Sequence, residues 1–256
     1  MRAKLPSCAI WTVVALVTIG VFLPIAVCSL LLRPFDPHRR LAHRIGIWWG
    51  GTVVRANPFW RVRTHGLRHI DPGHAYVLVS NHQSLADIAI LYRLRRQFKW
   101  LAKDSLFAIP FLGWSMRLIG YIPLERGRQG SITRSFRQAL DWLQRGMSVL
   151  VFPEGTRSHT RQLGAFKDGA FKLAIQAGVP VVPIALSGTH DAIPRGSWVF
   201  VHHVTAGLSV LPPVDTAGYA PDQAGALRDR VRTMIGEEVQ RLEALAAAKR
   251  RRLHGT

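Results

Sequence analysis

Hydrophobic and polar positions divide the chain into two regions of different texture. From Leu5 to Leu32 no charged residue occurs. About 28 positions in an α-helix reach roughly 42 Å at 1.5 Å per residue, against a bilayer core about 30 Å thick. The run is long enough to cross a membrane when tilted or bent, and Pro24 supplies a place for the bend. Arg2 and Lys4 ahead of it resemble the basic start of a secretory signal. The apolar stretch is too long for a signal, however, no Ala-x-Ala site follows it, and Val27 makes Ile25-Ala26-Val27-Cys28 a poor lipoprotein site. The pattern therefore predicts a retained membrane anchor. Arg33, His38, Arg39, Arg40, His43 and Arg44 follow directly, so the positive-inside rule puts the rest of the chain on the cytoplasmic side of a cell's inner membrane. Full crossing and a dip that returns both fit this pattern.

Within residues 41–54, Leu41, Ile45, Trp48 and Thr52 fall near helical spacing, with Arg40 and Arg44 alongside. The Trp48-Trp49 pair suits a membrane interface, and a helix packed on a protein core suits the pattern as well. Residues 1–56 thus form the expected anchoring helices, and 57–256 the expected catalytic domain. In that second region strand-like runs at Phe59–Thr64, Tyr76–Ser80, Ser148–Phe152, Val181–Leu186 and Val204–Leu211 alternate with helical patterns at Ile132–Gln144, Gly169–Ala177 and Gly225–Lys249. Alternation of this kind predicts an α/β fold, a mixed sheet flanked by helices. Leu106–Leu118 reads as a segment that meets the bilayer, as the wall of an acyl groove, or as a core helix.

Charge narrows the partners. Thirty-four basic residues against 15 acidic ones leave a net charge of +19, which calls for an anionic partner: nucleic acid, acidic membrane lipid or an acidic carrier protein. The basic residues are scattered and no nucleic-acid motif occurs, so nucleic acid is not expected. The two cysteines, Cys8 and Cys28, both lie in the first apolar run, which excludes a disulfide framework and argues against a Cys-rich metal site or a thiol nucleophile. No resident cofactor or metal is expected.

Chemistry in open α/β sheets gathers on the loops that leave the strands. After the run ending at Ser80 come Asn81, His82 and Asp87, and Ser84-Leu85-Ala86-Asp87 matches a capping box with Ser84 as N-cap. His82 has no packing role in such a turn. Asp87 folded back onto its ring would fix the tautomer and leave the other nitrogen as a base. After the run ending at Phe152 come Pro153, Glu154, Gly155, Thr156 and Arg157, a tight turn offering backbone amides and a guanidinium fork matched to phosphate. Glu154 in that turn orients Arg157 or binds a substrate hydroxyl. In a third loop, residues 120–128, a strand-like run leads into a turn with two arginines, and Arg126 there is a second phosphate ligand or an exposed charge. No G-x-S-x-G elbow occurs, and Ser187, His190 and Asp191 are too close in sequence to make a triad, so the substrate must bring the nucleophile.

The order N-H-x4-D at Asn81–Asp87, an arginine-bearing block at Ile122–Arg126, F-P-E-G-T-R-S at Phe152–Ser158 and a block from Phe166 to Pro183 resembles the 1-acylglycerol-3-phosphate acyltransferases of the glycerophospholipid acyltransferase superfamily. That resemblance implies a glycerol-3-phosphate acyltransferase-like fold and transfer of an acyl group from acyl-CoA or acyl-carrier protein, as co-substrate, to a lysophospholipid. It implies His82 and Asp87 as catalytic residues, and Lys103, Arg126, Glu154, Gly155, Thr156 and Arg157 as substrate-binding ones. Asp104-Ser105 departs from the family's commoner Lys-x-Glu-Leu form and weakens the match at Lys103. Another lysolipid acceptor, such as lyso-ornithine lipid, shares the His82 and Asp87 chemistry. A membrane lysophospholipase is the further alternative, opposed by the missing serine elbow.

Overall fold

Period-two alternation sets the two faces of the central sheet. On the strand Val77–Ser80, Val77 and Val79 enter one hydrophobic layer and Leu78 the other; Val149 and Val151 divide from Leu150 in the same way. In the computed structural model, residues 4–254 are described apart from 159, 161, 191, 194, 195 and 202. Arg2, Asp191 and the side chains of Arg250 and Arg252 lie outside the described residues.

Seven strands form one sheet: β1 (Trp60–His65), β2 (Val77–Ser80), β3 (Phe98–Lys103), β4 (Ile122–Leu124), β5 (Ser148–Val151), β6 (Val181–Ser187) and β7 (Val204–Val210). Their spatial order is β1-β7-β6-β2-β5-β3-β4, and every neighbouring pair is parallel except β6 with β7. The helices are α1 (Lys4–Leu31), α2 (Arg40–Arg55), α3 (Ala86–Leu91), α4 (Leu112–Ile119), α5 (Gln129–Gln144), α6 (Gly169–Ala177) and α7 (Ala224–His254). One face of the sheet is covered by α5, α6 and α7, whose buried positions, such as Leu227, Val231 and Ile235, recur at helical spacing. The other face is covered by α1 to α4. The mixed sheet flanked by helices is the class expected.

The segment read as an anchor is also part of this core. Ile10, Val21 and Ile25 of α1 and Ala42 and Val54 of α2 are buried in the same cluster as Leu78 and Leu150. The opposite side of α1 is open, with Leu16, Leu23, Leu30 and Leu31 between 63% and 70% exposed. Among the described residues α1 is the one helix long and apolar enough to cross a membrane. The two helices are tied by a 2.9 Å bond from Trp49 Nε1 to Thr18 Oγ1. Of the two readings of residues 41–54, the helix packed on the core is the one observed in α2: Ala42, His43, Gly46, Gly50 and Val54 pack inward, while Trp48 is exposed. At Gly50 the contact is close, since a Cβ there would lie 2.5 Å from the Tyr92 ring.

Candidate active site

Parallel strands end on the same edge of a sheet, and that edge collects the residues singled out above. His82 follows β2, Lys103 ends β3, Arg126 follows β4, and the Phe152–Ser158 loop follows β5. Because β5 inserts between β2 and β3, the two motif-bearing loops become neighbours although 70 or so residues separate them. Asn81 holds the first loop to the sheet. Its side-chain amide donates to the Leu186 carbonyl at 2.9 Å and accepts from the Leu186 amide at 2.8 Å, acting as one more rung beside β6.

His82 Nδ1 lies 2.9 Å from Asp87 Oδ2. An ionised carboxylate only accepts, so Nδ1 carries the proton and Nε2 is left as the free base. The same oxygen accepts the amides of Gln83 at 2.6 Å and Ser84 at 2.8 Å, while Oδ1 is buried with no partner. The expected capping box is half realised. Asp87 accepts the Ser84 amide, but its own N–H bonds the Ser84 carbonyl, and the helix begins at Ala86 with Leu85, not Ser84, as N-cap. Three converging donors draw the carboxylate into the turn and move the helix start by one residue.

The FPEGTRS loop grips His82 from the other side. The Phe152 ring stacks on the imidazole, centroids 4.0 Å apart and planes 11° from parallel. The His82 amide donates to Glu154 Oε1 at 2.8 Å, and the Ser158 amide donates to the His82 carbonyl at 2.9 Å. Glu154 Oε2 accepts the Gly164 amide at 3.1 Å. Burial pushes the Glu154 carboxyl up, against the pull of those two amides. The resemblance implies Glu154 as a substrate-binding residue. The structure instead buries it, spends both oxygens on backbone, and leaves it out of the cleft lining, because the chain at Gly164 folds back over the turn. Gly155 takes φ +73°, the left-handed region its tight turn needs.

A cleft of about 880 Å³ opens at this edge. Its loop-built lining includes His82, Lys103, Arg126, Gly155, Thr156, Arg157 and Lys167; its helix-built lining is apolar, with Trp11, Val14 and Val21 of α1, Trp49 and Val53 of α2, and Leu112 and Met116 of α4. Leu106–Leu118 therefore walls a groove, and Met116 and Ile119 also belong to the core. Partial burial draws the Arg126 guanidinium below its ordinary value, where it still stays cationic at neutral pH. Phe152 went unrecognised as a functional side chain. Its place comes from the strand pairing: Val151 pairs with Val79, so Phe152 leaves β5 beside Ser80, two residues before His82. Among the described residues no group of three or more His, Cys, Asp or Glu comes together to hold a metal ion.

A family model described as Acyltransferase matches residues 61–187. The chain is 36% identical over 207 residues to a chloroplastic 1-acyl-sn-glycerol-3-phosphate acyltransferase of Arabidopsis thaliana, covering 80% of this chain and 56% of that one. It is 40% identical over 179 residues to the human 1-acyl-sn-glycerol-3-phosphate acyltransferase alpha, covering 67% and 61%. The chain thus spans somewhat over half the length of these curated relatives. The crystal structure of the 1-acyl-sn-glycerophosphate acyltransferase PlsC from Thermotoga maritima matches with a TM-score of 0.82 and 27% identity, covering 95% of this chain and 97% of that one. Since the likeness extends over the whole fold as well as over the strands and loops that carry the dyad, the chain belongs to the 1-acyl-sn-glycerol-3-phosphate acyltransferase family.

Proposed function

We propose that the protein moves a fatty acyl group from acyl-CoA or acyl-carrier protein to the 2-hydroxyl of lysophosphatidic acid, giving phosphatidic acid. The observation that carries this reading is the 2.9 Å His82–Asp87 pair in a cleft cationic on its loop side and apolar on its helix side. His82 Nε2 takes the proton of the acceptor hydroxyl as that oxygen attacks the thioester carbonyl. Asp87 stabilises the imidazolium and holds the ring's tautomer. The tetrahedral intermediate collapses, the carbon–sulfur bond breaks, and the imidazolium returns its proton to the departing thiolate. Lys103, Arg126 and Arg157 bind the acceptor's phosphate, with Gly155 and Thr156 offering close approach; Glu154 and Phe152 position His82. The apolar channel takes the acyl chain. Helix α1 seats the enzyme on the cytoplasmic side of the inner membrane, where the basic cluster after it meets anionic headgroups.

Purified protein given acyl-CoA or acyl-carrier protein with lysophosphatidic acid is expected to release free thiol. His82→Ala should lower the rate by ~10² or more, the scale for losing a general base. Undiminished turnover in that variant would overturn the mechanism. A panel of lysolipid acceptors, lyso-ornithine lipid included, tests the acceptor assignment: a higher kcat/KM for another acceptor would replace lysophosphatidic acid in this reading.

A further inference from the structure

The cleft reaches both faces of the sheet. One apolar limb lies in the layer of α1, α2 and α4 described above. A second lies in the opposite layer between α5 and α6, lined by Ile132, Phe136 and Ala139 of α5 and Ala170 and Leu173 of α6, over Val151 of β5. Ile132, Phe136 and Ala139 stand three to four residues apart, so they share one face of α5 and follow it inward for about 10 Å at 1.5 Å per residue. Small residues keep the two helices apart there: alanine at 139 and 170, and Gly169, which also lines the cleft and where a Cβ would meet no atom within 4 Å. Ala139 and Leu173 are 1% and 3% exposed, so the inner end is closed.

Both helices begin at the catalytic edge, and each brings a cation to the mouth of this limb. Arg126 lies shortly before α5 and Lys167 shortly before α6, and both line the cleft. The Lys167 amide donates to the Pro153 carbonyl at 3.0 Å, which ties its backbone to the FPEGTRS turn. Its side chain lies over that turn, with Nζ 3.3 Å from the place a Cβ on Gly155 would take. Among the described residues neither Arg126 nor Lys167 is in an ion pair, whereas neighbouring Arg128 is engaged with Glu125 at 3.1 Å. Two cations without counter-ions above a closed apolar limb match an amphiphile with its phosphate at the mouth and its chain inside.

The reaction brings two chains to His82, and the placement of the cations separates them. The donor's chain starts at the thioester carbonyl beside His82, and Leu85, Ala86 and Ala89, which follow His82 in sequence, line the limb in the α1–α4 layer. The acceptor carries its phosphate and its chain on one glycerol, so its chain enters the protein close to the phosphate ligands. We propose that the α5–α6 limb takes the acyl chain of the lysophospholipid acceptor, with Lys167 joining Arg126 on its phosphate. The closed inner end then makes the enzyme selective for the length of a chain that the reaction leaves untouched.

This inference rests on the acyltransfer reading above. The test uses full-length protein in one fixed detergent, with acyl-CoA donors and 1-acyl lysophosphatidic acid acceptors each carrying hexanoyl or decanoyl chains, and thiol release as readout. Each buried methylene contributes roughly fourfold in kcat/KM, so the decanoyl acceptor should be favoured over the hexanoyl one by about tenfold or more. Ala139→Leu fills the inner end and should bring that acceptor ratio to within about twofold of one while the donor ratio is kept. If that variant fails to fold, Ile132→Trp narrows the mouth from an exposed position and should do the same. Lys167→Met should raise the acceptor KM by about tenfold and leave that of acyl-CoA within about twofold. A donor ratio that shifts in place of the acceptor ratio, ratios untouched by the substitution, or a Lys167→Met effect on acyl-CoA alone would overturn the assignment. If the parent releases no thiol with any acyl-CoA and lysolipid, the acyltransfer reading falls as well; if it releases thiol and the acceptor ratio ignores the limb, only this inference falls.

Discussion

Replacing Glu154 with Gln separates positioning from substrate binding. Its carboxylate holds two backbone amides, His82 N–H at 2.8 Å and Gly164 N–H at 3.1 Å, and a hydrogen bond to a charged acceptor contributes about 1.5–3 kcal/mol. Gln keeps one acceptor oxygen and turns an NH₂ group toward the other amide, so one bond of that class is lost and a buried donor faces another donor. The combined cost is about 3–4 kcal/mol, a sizeable part of the 5–15 kcal/mol that holds a typical domain together. At roughly 2–4 °C per kcal/mol for a chain of this size, the midpoint of thermal unfolding should fall by about 10 °C. In the same variant His82 loses an anchor on its own backbone. Misplacing a reacting group by about 1 Å costs on the order of 10² in rate, so kcat should fall ten- to a hundredfold while the acceptor KM stays within about twofold. Steady-state kinetics over a range of lysophosphatidic acid concentrations, beside a thermal melt, read both quantities. A raised acceptor KM with kcat retained would refute the positioning argument and return Glu154 to the headgroup.

Arg157→Ala should do the reverse, raising the acceptor KM by about tenfold with a smaller change in kcat; an unchanged KM would remove Arg157 from the phosphate end. Gly50→Ala forces a methyl into the Tyr92 ring and should cost about 1–3 kcal/mol of stability, read as a lower unfolding midpoint; an unchanged midpoint would mean α2 is not seated on Tyr92. Lys99 is fully buried, donates to the carbonyls of His38 and Ile119 at 2.8 Å each, and is pushed down to about 7 by burial and then by Arg39. With the unfolded value near 10.4, the unfolded chain binds the extra proton between those two values, so this group's contribution to stability rises with pH across that window. The charged form's cost is full below about 7 and relieved above it. Lys99→Met lacks the titration, so its stability relative to the parent should drop by about 4 kcal/mol between pH 7 and pH 10 in denaturant melts. A difference independent of pH would contradict the assignment.

The sheet was legible where strands are simple apolar runs. Five of its seven strands, β1, β2, β5, β6 and β7, agree with the periodicity to within a residue or so at each end, and Ile122–Leu124 falls inside the strand-like run before Arg126. β3 was not legible, because Lys99 interrupts its apolar pattern; only the fold supplies two carbonyls and the face of Trp142, 4.6 Å away, to accept a buried ammonium. In the site, His82 and Asp87 were readable because five residues within one loop fix their geometry. The roles of Glu154 and Phe152 were not, since they depend on β5 lying beside β2 and on Gly164 returning to the turn.

Helix α1 supplies Trp11, Val14, Thr18, Val21 and Ile25 to the wall of the cleft. An expression strategy that deletes the apolar leader to obtain a water-soluble fragment would therefore also remove one side of the substrate cavity. Changes in acyl preference after such trimming would report a missing wall and not a missing address label. On the proposed function the helix that meets the lipid and the helix that shapes the acyl channel are the same, so solubility and selectivity are expected to change together.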